Sequence, residues 1–508
     1  MVVSKVRRSI TGIVALVGAC VLAGGAGATA ATVAWSDGTH DTDATTRLLG
    51  DISSDTYVSA YLRLPDGRTL IGGSFTTLRG TAVNILVRLD ADGRIDSAFN
   101  TNLGTGFALT PCQFCGTANV DEIVVQPDGK ILVAGLFDSV NGTPSSRLVR
   151  LNADGSVDTA FSANLGSGFT GGGGSSAGAL VMRVHLQSDG RILATGDFNS
   201  VGSAGASSVV RLNADGSVDT TYTANAALVC DMYTGDSVLM GDGRLLVTGC
   251  SIPPTTGAKT GIVLFNTDGT RNAAFDNAVG TGFETVKYDA QNQPYDTADY
   301  PWTAERTSDG GVLLGGAFTR FNGQTVPRGL LKLRADGTVD AAYNTKLGAG
   351  LALGSGTTAP TYSGAFVSDL TAQSDGRIIV NGYFDTLGGS AQKNIGRIGV
   401  DGSPDTTFAG KGDMDGIKYG IETVSLPDGS IVVHGAFDKW NGAAVDGFVV
   451  LGTAPAPAVE SRVTSTAAST EAETTPAAGS PARPAIFFAS MLLIAVGGLL
   501  VRRRDNAA

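Results

Sequence analysis

Short apolar runs separated by polar turns recur along the middle of the chain. Two of them, Glu122–Gln126 and Lys130–Ala134, are rich in β-branched residues and flank an Asp-Gly turn. A third run, Arg147–Leu151, leads into a second Asp-Gly turn, and a short fourth run, Val157–Phe161, follows it. Apolar runs of this length between Asp-Gly turns predict antiparallel hairpins. We therefore expect β-structure throughout, with four strands in each unit.

This unit occurs seven times. An opening Asp-Gly turn recurs about every 60 residues, and in the first six units a second Asp-Gly follows 26 or 27 residues later. The aspartates of the opening turns are Asp66, Asp128, Asp189, Asp242, Asp309, Asp375 and Asp428. The aromatic residues that close the first six units are Phe99, Phe161, Tyr222, Phe275, Tyr343 and Phe408. Such a period indicates one supersecondary structure per repeat.

The seventh unit ends after Phe448–Leu451 and lacks a second Asp-Gly turn. A matching segment lies near the other end of the chain, where Asp37–Thr42 resembles Asp154–Thr159. Pairing of the two ends would close a ring and remove free sheet edges. The predicted fold is all-β: a single seven-bladed β-propeller of four-stranded blades over residues 31–452, closed by an N-terminal strand on the C-terminal half-blade.

The units resemble the delta-60 repeat family of bacterial β-propellers. The pattern is visible in the first unit as Leu64–Gly67, Gly73–Phe75, Arg88-Leu89, Asp92-Gly93 and Phe99. In the fourth unit, Cys250–Pro254 replaces the Gly-x-Phe turn. The resemblance implies a propeller of a cell-surface protein, and it supplies no catalytic residues.

The N-terminal residues, 1–30, are predicted to be a secretory signal peptide. Lys5, Arg7 and Arg8 precede the apolar run Ile10–Leu22, and Ala28-Thr29-Ala30 fits an A-x-A cleavage site. At the other end, residues 453–484 are rich in Ala, Thr, Pro and Ser. This composition predicts a disordered stalk.

Residues 485–501 form a 17-residue uncharged run before the basic tail, 502–508. That length is at the short end for a helix crossing roughly 30 Å of hydrocarbon, and the arginines favour a cytoplasmic tail. The order of stalk, apolar run and basic tail also resembles a cell-wall sorting signal. The nearest sortase motif, Thr475–Gly479, lacks the Leu and the Thr of Leu-Pro-x-Thr-Gly. We therefore expect a single-pass anchor in the plasma membrane, with wall attachment as the alternative.

The composition narrows the class of partner. The chain has 71 glycines and a net charge of −11, and the signal and tail carry six of its cations but only one of its acids. The exported part is therefore even more acidic than the whole chain. Such a surface argues against binding to nucleic acid.

Ligand recognition is expected on the face where the loops vary between units. The longest link, Thr285–Glu305, contains four large aromatic residues among several carboxylates. These candidate ligand-binding residues are Tyr288, Tyr295, Tyr300 and Trp302. Aromatic faces beside carboxylates suit sugar rings, whose hydroxyl groups donate hydrogen bonds. The alternative is that these rings pack the link onto the fourth and fifth blades. Trp440 aligns with apolar residues of the other units and is predicted to lie in the core.

Four cysteines remain after the signal. An even count in an exported chain predicts disulfides, Cys230 with Cys250 and Cys112 with Cys115. The spacing of Cys112 and Cys115 would also suit a zinc half-site or a redox pair. No second C-x-x-C exists.

The second Asp-Gly turns resemble the later half of a calcium loop. The residues that would supply the oxygen ligands are Asp90, Asp92, Asp96, Asn152, Asp154 and Asp158. However, Arg88 and Arg150 stand where the preceding ligand is expected. We therefore predict a pair between this arginine and an aspartate in each unit, without a cofactor, and keep calcium as the alternative.

No nucleophile elbow, phosphate loop or paired-histidine motif is present, and the chain has three histidines, His40, His185 and His434. The predicted function is non-catalytic binding or adhesion at the cell surface, with a glycan, a wall polymer or a protein as partner. The alternative is a polysaccharide hydrolase or lyase with carboxylates in the propeller channel. A third possibility is a structural spacer in the surface layer.

Overall fold

Each of the seven sequence units forms one antiparallel sheet in the computed structural model. The model describes residues 57–452 except 111–116, 173–177, 207, 223–228, 231–234, 252–260, 289–293, 298–300, 355–363, 409–418, 438 and 446. We number the sheets 1 to 7 along the chain. In each, the second strand pairs with the first on one side and the third on the other.

The three main strands of each sheet have the following bounds: Val58–Arg63, Thr69–Gly73 and Leu86–Leu89 in sheet 1; Glu122–Val125, Ile131–Ala134 and Leu148–Leu151 in sheet 2; Leu180–Leu186, Ile192–Asp197 and Val209–Leu212 in sheet 3; Ser237–Leu239, Leu245–Ser251 and Gly261–Phe265 in sheet 4; Pro301–Arg306, Val312–Gly316 and Leu330–Leu333 in sheet 5; Phe366–Ala372, Ile378–Tyr383 and Ile395–Ile398 in sheet 6; Tyr419–Ser425, Ile431–Ala436 and Phe448–Leu451 in sheet 7. In sheet 4, the two-residue strand Val229–Cys230 also pairs with the far end of the second strand.

Outer strands lie between the second and third strands of most units, and five more, Phe107–Ala108, Phe169–Thr170, Phe283–Tyr288, Pro294–Thr297 and Leu351–Ala352, lie in the links between units. They are Thr77–Leu78 and Thr81–Ala82; Phe107–Ala108, Ser139–Val140 and Thr143–Pro144; Phe169–Thr170, Ser200–Val201 and Ala204–Gly205; Phe283–Tyr288, Pro294–Thr297, Arg320–Phe321 and Gln324–Thr325; Leu351–Ala352, Thr386–Leu387 and Ser390–Ala391; Lys439–Trp440 and Ala443–Ala444. In four of these groups, the link leaving one unit pairs with the outer hairpin of the next. Neighbouring units are thereby joined through their backbones.

The core is divided into seven clusters, each formed by two neighbouring sheets. Alternate residues of a second strand enter different clusters: Ile192 packs against sheet 2 and Leu193 against sheet 4. Because both faces of these strands are buried, they are mainly apolar on both faces rather than alternating, with occasional polar residues such as Thr195, Asn381 and His434. The cluster between sheets 7 and 1 contains Val432, Phe448 and Val58. Trp440 is buried, as predicted.

The opening Asp-Gly turns all have the same geometry. Gly67 has φ +84°, a conformation that glycine adopts without steric cost, and the other six glycines have φ between +82° and +85°. The Gly67 amide donates to the Leu64 carbonyl, which closes the turn.

The predicted fourth strand is reduced to a single β-bridge, for example between Leu151 and Val157. In four units a short helix follows: α1, Ser97–Asn102; α2, Thr159–Leu165; α3, Ala273–Val279; and α4, Ala341–Lys346. Asp158 caps α2 by accepting a hydrogen bond from the Phe161 amide. A capping side chain at this position favours a helical turn over continued strand pairing, which the alternation of apolar residues did not indicate.

Some sequence predictions lie outside the described residues. These are the signal peptide, the closing segment Asp37–Thr42, His40, the stalk and the apolar run of residues 485–501. In the part of the chain that is described, no helix is long and apolar enough to span a membrane.

Candidate functional site

The first strands of the sheets place one residue of each unit at equivalent positions. Counting six residues back from the aspartate of each opening turn gives the cavity ring: Ala60, Glu122, Arg183, Asp236, Thr303, Asp369 and Glu422. Five of these seven residues are charged, although the strands are otherwise mainly apolar. Each first strand lies beside the first strand of the next sheet, and that of sheet 7 lies beside that of sheet 1. The charged positions therefore converge.

Irregular pairing sets the direction of several ring side chains. The register between first and second strands shifts immediately before Arg183, Thr303, Asp369 and Glu422. An extra residue of this kind bends a strand and re-aims the side chains beside it, and such bulges are common near functional sites.

The ring encloses a cavity of about 510 Å³. Its wall contains residues of all seven sheets, and every ring residue except Thr303 contributes to it. The acidic residues of the wall are Asp121, Glu122, Asp236, Glu305, Asp369 and Glu422; its basic residues are Arg183 and the exposed Arg306; and its histidines are His185 and His434. The central cavity is thus strongly acidic and lies within the size range of small-molecule sites, roughly 300–1,000 Å³.

Arg183 is the main counter-charge. Its Nε donates to Asp236 Oδ1 at 2.8 Å, and one terminal nitrogen lies 3.5 Å from Glu422 Oε1. The other terminal nitrogen donates to the Met182 carbonyl at 3.4 Å. The charge of Asp236 raises the pKa of Arg183, so this guanidinium is permanently cationic.

Other carboxylates join one sheet to the next. Asp236 Oδ2 accepts from the Ala304 amide at 3.1 Å, Asp369 Oδ2 from the Thr423 amide at 2.8 Å, and Glu305 Oε2 from the Ala372 amide at 3.3 Å. The Val184 amide donates in the same way to Glu122 Oε2 at 2.5 Å. A first strand is the inner edge of its sheet, so its outward amides lack partners within that sheet. The neighbouring carboxylates satisfy these amides and hold the wall together.

Two histidines, both buried or nearly so, complete the wall. His434 Nδ1 lies 3.2 Å from the carbonyl oxygen of Val58, a bond from sheet 7 to sheet 1. His185 Nε2 is 2.7 Å from Ser237 Oγ, which in turn lies 2.8 Å from Thr195 Oγ1. Burial lowers the pKa of each histidine to about 4, so both rings are neutral at physiological pH.

Burial raises the pKa of several acids in the cavity wall. It raises the pKa of Glu122 to about 8, those of Asp121 and Glu305 to about 7, and that of Asp369 to about 6. It also raises the pKa of Glu422. The negative charge of Glu422 adds to the effect at Asp121, Glu122 and Asp369. Titrating groups clustered in a cavity are typical of functional sites.

These shifts predict a pH dependence of stability. An acid whose pKa is higher in the folded state binds its proton more tightly there, so protonation stabilises the fold as pH falls through that value. Burial lowers the pKa of the two histidines, so their protonation in the unfolded chain lowers the stability of the fold as the pH falls. This effect begins only below their unfolded pKa of about 6.5. We therefore expect the melting temperature of the full chain to rise as the pH falls from about 8.5 to 6.5.

A Glu122→Gln variant provides the control for this pH profile. It removes the carboxyl group whose pKa is raised to about 8 and should flatten the rise. A melting temperature that falls from pH 8.5 to 6.5, or a profile that Glu122→Gln does not alter, would contradict the assignment.

Away from the cavity, the predicted pair between an arginine and an aspartate is confirmed in four units, and in the fifth unit a lysine takes the place of the arginine. In the fourth unit the prediction is wrong, because Leu264 stands at the arginine position. The pairs are Arg88–Asp96, Arg150–Asp158, Arg211–Asp219, Lys332–Asp340 and Arg397–Asp405. In each, the cation also lies 4.2–4.8 Å from the centroid of the closing aromatic ring. Arg150 additionally donates to the Ala214 carbonyl of the next unit at 2.5 Å. We call this arrangement the inter-sheet clamp.

The residues proposed for calcium are engaged within these turns. Asp90 accepts from the amides of Asp92 and Arg94, and Asp92 pairs with the Arg94 side chain. Asp154 likewise accepts from the Ser156 amide and hydroxyl, while Asn152 donates to the same hydroxyl. Within the described residues, no group of three or more His, Cys, Asp or Glu residues is placed to hold a metal ion.

The link predicted over Thr285–Glu305 is not a loop throughout. Tyr288 ends one strand and Tyr295 lies in the strand that pairs with it, while Tyr300 lies outside the described residues. Trp302 belongs to the first strand of sheet 5, and its ring packs edge-on against Phe366 of sheet 6 at 5.2 Å. Strand pairing therefore extends into this segment, and the ligand-binding role of the four aromatic residues stays a prediction.

The cysteine predictions have different outcomes. Cys112 and Cys115 lie outside the described residues. Cys230 and Cys250 are directly opposed on neighbouring antiparallel strands. The Cα atoms of opposed residues lie roughly 4.5–5.5 Å apart, which falls within the range that a disulfide requires.

We therefore predict that the purified exported chain carries a Cys230–Cys250 disulfide. Closing a loop of this length is worth about 3 kcal/mol, so Cys250→Ser should lower the free energy of unfolding by about that amount. Peptide mapping under non-reducing conditions detects the bond directly. Free thiols at both positions in protein isolated without reductant would contradict it.

Comparison with known proteins bears on the repeat from which the chain is built. No curated protein matches the sequence. Five segments, 64–99, 126–161, 187–222, 307–343 and 373–408, match a family model described as a β-propeller domain of unknown function, DUF5122. Each segment runs from the turn after a first strand to a closing aromatic, and the repeated sheets agree with the match. The chain is a β-propeller repeat protein.

Solved propellers resemble this one only distantly. PorZ, a surface component of the type-IX secretion system of Porphyromonas gingivalis, shows 12% identity and a TM-score of 0.41 over 77% of this chain and 46% of that one. The extracellular domain of a hybrid two-component system of B. thetaiotaomicron shows 11% identity and 0.40 over 80% and 41%. Virginiamycin B lyase of Staphylococcus aureus shows 10% and 0.31 over 78% and 96%. The chain spans less than half the length of the first two, and similarity this distant does not extend to function.

The sequence predictions missed the cavity ring. A signal for it was present, because the same position of a mainly apolar strand carries a charge in five of seven units. His434, in a mainly apolar second strand, also lies in the cavity wall.

Proposed function

We propose that this chain is an exported, membrane-anchored β-propeller that binds a ligand in its central cavity without catalysing a reaction. The observation that carries the proposal is the convergence of polar residues from all seven sheets on one cavity of about 510 Å³. Ligand sites of proteins combine a formed cavity with a few convergent polar groups and perturbed pKa values, as is the case here.

The architecture proposed for this function is a single seven-bladed ring. The seven sheets are its blades, and Asp37–Thr42 supplies the strand that the seventh unit lacks. The packing of Val58 of sheet 1 against Val432 and Phe448 of sheet 7 supports this closure. The signal peptide would export the ring, and the stalk with the apolar run of residues 485–501 would hold it at the cell surface.

The proposal is tested by presenting the full chain in detergent to surface glycans, wall polymers and proteins. Glu422→Gln changes one charge in the cavity. Asp92→Asn changes one charge on an exposed turn that does not belong to the cavity wall. We expect capture of a partner by the wild type and by Asp92→Asn, and weaker capture by Glu422→Gln. Capture that is equally strong with all three would place recognition outside the cavity and overturn the proposal.

A hydrolase or lyase is the second candidate, and the acids of the cavity favour it. Glu122 has a pKa of about 8 and could donate a proton at neutral pH, while Asp236 is paired with Arg183. Carboxyl groups held in different environments are the usual basis of acid–base catalysis on sugars. Turnover of a surface polysaccharide that Glu122→Gln abolishes would support this candidate over binding alone.

A further inference from the structure

The hydrogen-bonding groups at the wall of the central cavity are mostly acceptors. Six carboxyl groups face two guanidinium groups, and Arg306 is exposed. Arg183, the half-buried donor, already contacts Asp236, Glu422 and the Met182 carbonyl. When these acids are ionised, above a pH of about 8, a ligand that complements this wall must therefore bring donors and positive charge.

His434 provides an independent indication of the same kind. The Val58 carbonyl can only accept, so the proton of the neutral ring is on Nδ1 and Nε2 carries a lone pair. The side chain is 1% exposed and belongs to the cavity wall. Nε2 makes no hydrogen bond with any residue of the described ranges. A ring acceptor at the wall of a cavity is available to a ligand N–H.

The positions of the acids bear on whether the cation is a metal ion or a larger, polyatomic cation. The six carboxyl groups come from six different positions on the first strands of five sheets and their flanks. In the described part of the chain, no three of His, Cys, Asp and Glu gather closely enough to hold a metal ion. Separated carboxylates are better matched by a polyatomic cation that reaches several of them at once.

We propose that the central cavity binds an organic cation with several N–H donors, of the polyamine or amino-sugar class. This inference rests on the proposed binding function and names the ligand chemistry of the same site. One ammonium group donates to His434 Nε2 and Glu422, and further N–H groups reach Asp369, Asp121 or Glu122. Arg183 stays paired with Asp236, which keeps its charge from repelling the ligand.

The test is calorimetric titration of the full chain in detergent with spermidine, at low ionic strength. Glu422→Gln removes one charge without changing shape, and His434→Phe removes the free acceptor while keeping a ring. We expect each to weaken spermidine binding by about tenfold or more, with Asp92→Asn as the unchanged control. Because the two substitutions alter different contacts, misfolding of one leaves the other as a test.

Further arms separate the sources of the cation. Glucosamine in place of spermidine identifies an amino sugar, N-acetylglucosamine controls for the sugar ring, and Mg²⁺ controls for charge alone. We also expect spermidine affinity to rise between about pH 6 and 8.5, because Asp121, Glu122, Glu305 and Asp369 lose protons there while His185 and His434 stay neutral and Arg183 stays charged. The other charged groups of the cavity wall are Asp236, Arg306 and Glu422.

Either of two results would overturn the inference. One is the absence of binding by both amines at millimolar concentration, and the other is an affinity that neither cavity substitution changes. If neither amine binds but capture of a surface partner still depends on Glu422, the ligand class is wrong and the proposed function stands. If neither amine binds and capture of the partner is also independent of Glu422, the ligand class and the proposed function both fail.

Discussion

Replacing Arg183 by methionine should lower the free energy of unfolding by about 2–3 kcal/mol. The guanidinium pairs with Asp236 and Glu422, and its removal leaves two carboxylates without a counter-charge in an acidic cavity. Breaking a fully buried pair costs roughly 3–5 kcal/mol, and the lower value applies here because the Arg183 side chain is 28% exposed. Chemical denaturation of the full chain at pH 8 measures the loss.

The loss should shrink at lower pH, because the unpaired acids can then be protonated. Arg94→Met is the matched control: it removes the same charge from a pair with Asp92 in which both side chains are mostly exposed. Exposed pairs contribute little to stability, so this variant should unfold almost as the wild type does. Equal destabilisation by the two substitutions would show that the cavity pair has no special role.

The second large effect is expected at the inter-sheet clamp, where Asp158→Ala should cost about 3–4 kcal/mol. Asp158 pairs with the buried Arg150 at 2.9 Å and with Lys130 at 2.6 Å, and it caps helix α2. Its loss removes the cap and leaves Arg150 buried without a carboxylate. The change in denaturation midpoint of the full chain gives the magnitude.

The fourth unit offers the control for this prediction. Asn272 caps helix α3 through the Phe275 amide, but Leu264 stands where the other units have their cation. Asn272→Ala should therefore lose the cap and the hydrogen bond from its side-chain amide to Asn266 Oδ1, but no ion pair, at a cost of about 1–2 kcal/mol. If Asp158→Ala costs no more than Asn272→Ala, the ion pair does not stabilise the sheet interface.

Much of the fold could be predicted because it depends on residues that repeat. Runs such as Lys130–Ala134 indicated the second strands, and the Asp-Gly pairs indicated the turns that the structure contains. The pairing of Arg88 with Asp96 followed from the arginine that interrupts the calcium-like pattern. These features are local, so each unit carries the information for its own strands.

The cavity was harder to predict because it is assembled from residues about 60 positions apart that differ in type. Glu122, Arg183 and Asp236 share one register position, but Arg183 has the opposite charge and the three side chains differ in size. Their meeting depends on how the first strands lie side by side, which no single unit specifies. The unbonded nitrogen of His434 depends on the Val58 carbonyl at the opposite end of the chain, a contact that sequence spacing does not reveal.

The segment Thr285–Glu305 shows a different limit of prediction from the sequence. Trp302 was interpreted as part of a long loop because its neighbours are polar and aromatic. In the structure it lies in a strand and packs against Phe366 of the next sheet. The alternative interpretation of the aromatic residues, that they pack, describes Trp302 better, although its partner belongs to the sixth unit rather than the fourth or fifth.

The central claim is that the ligand occupies the cavity, and carboxyl footprinting by mass spectrometry tests it most directly. The full chain is labelled with and without the partner captured in the binding screen. The account predicts protection of Asp121, Glu122 and Glu422, with unchanged labelling of the exposed Asp92 and Asp242. Protection confined to the acids of the link between sheets 4 and 5, with the cavity acids labelled as before, would contradict it.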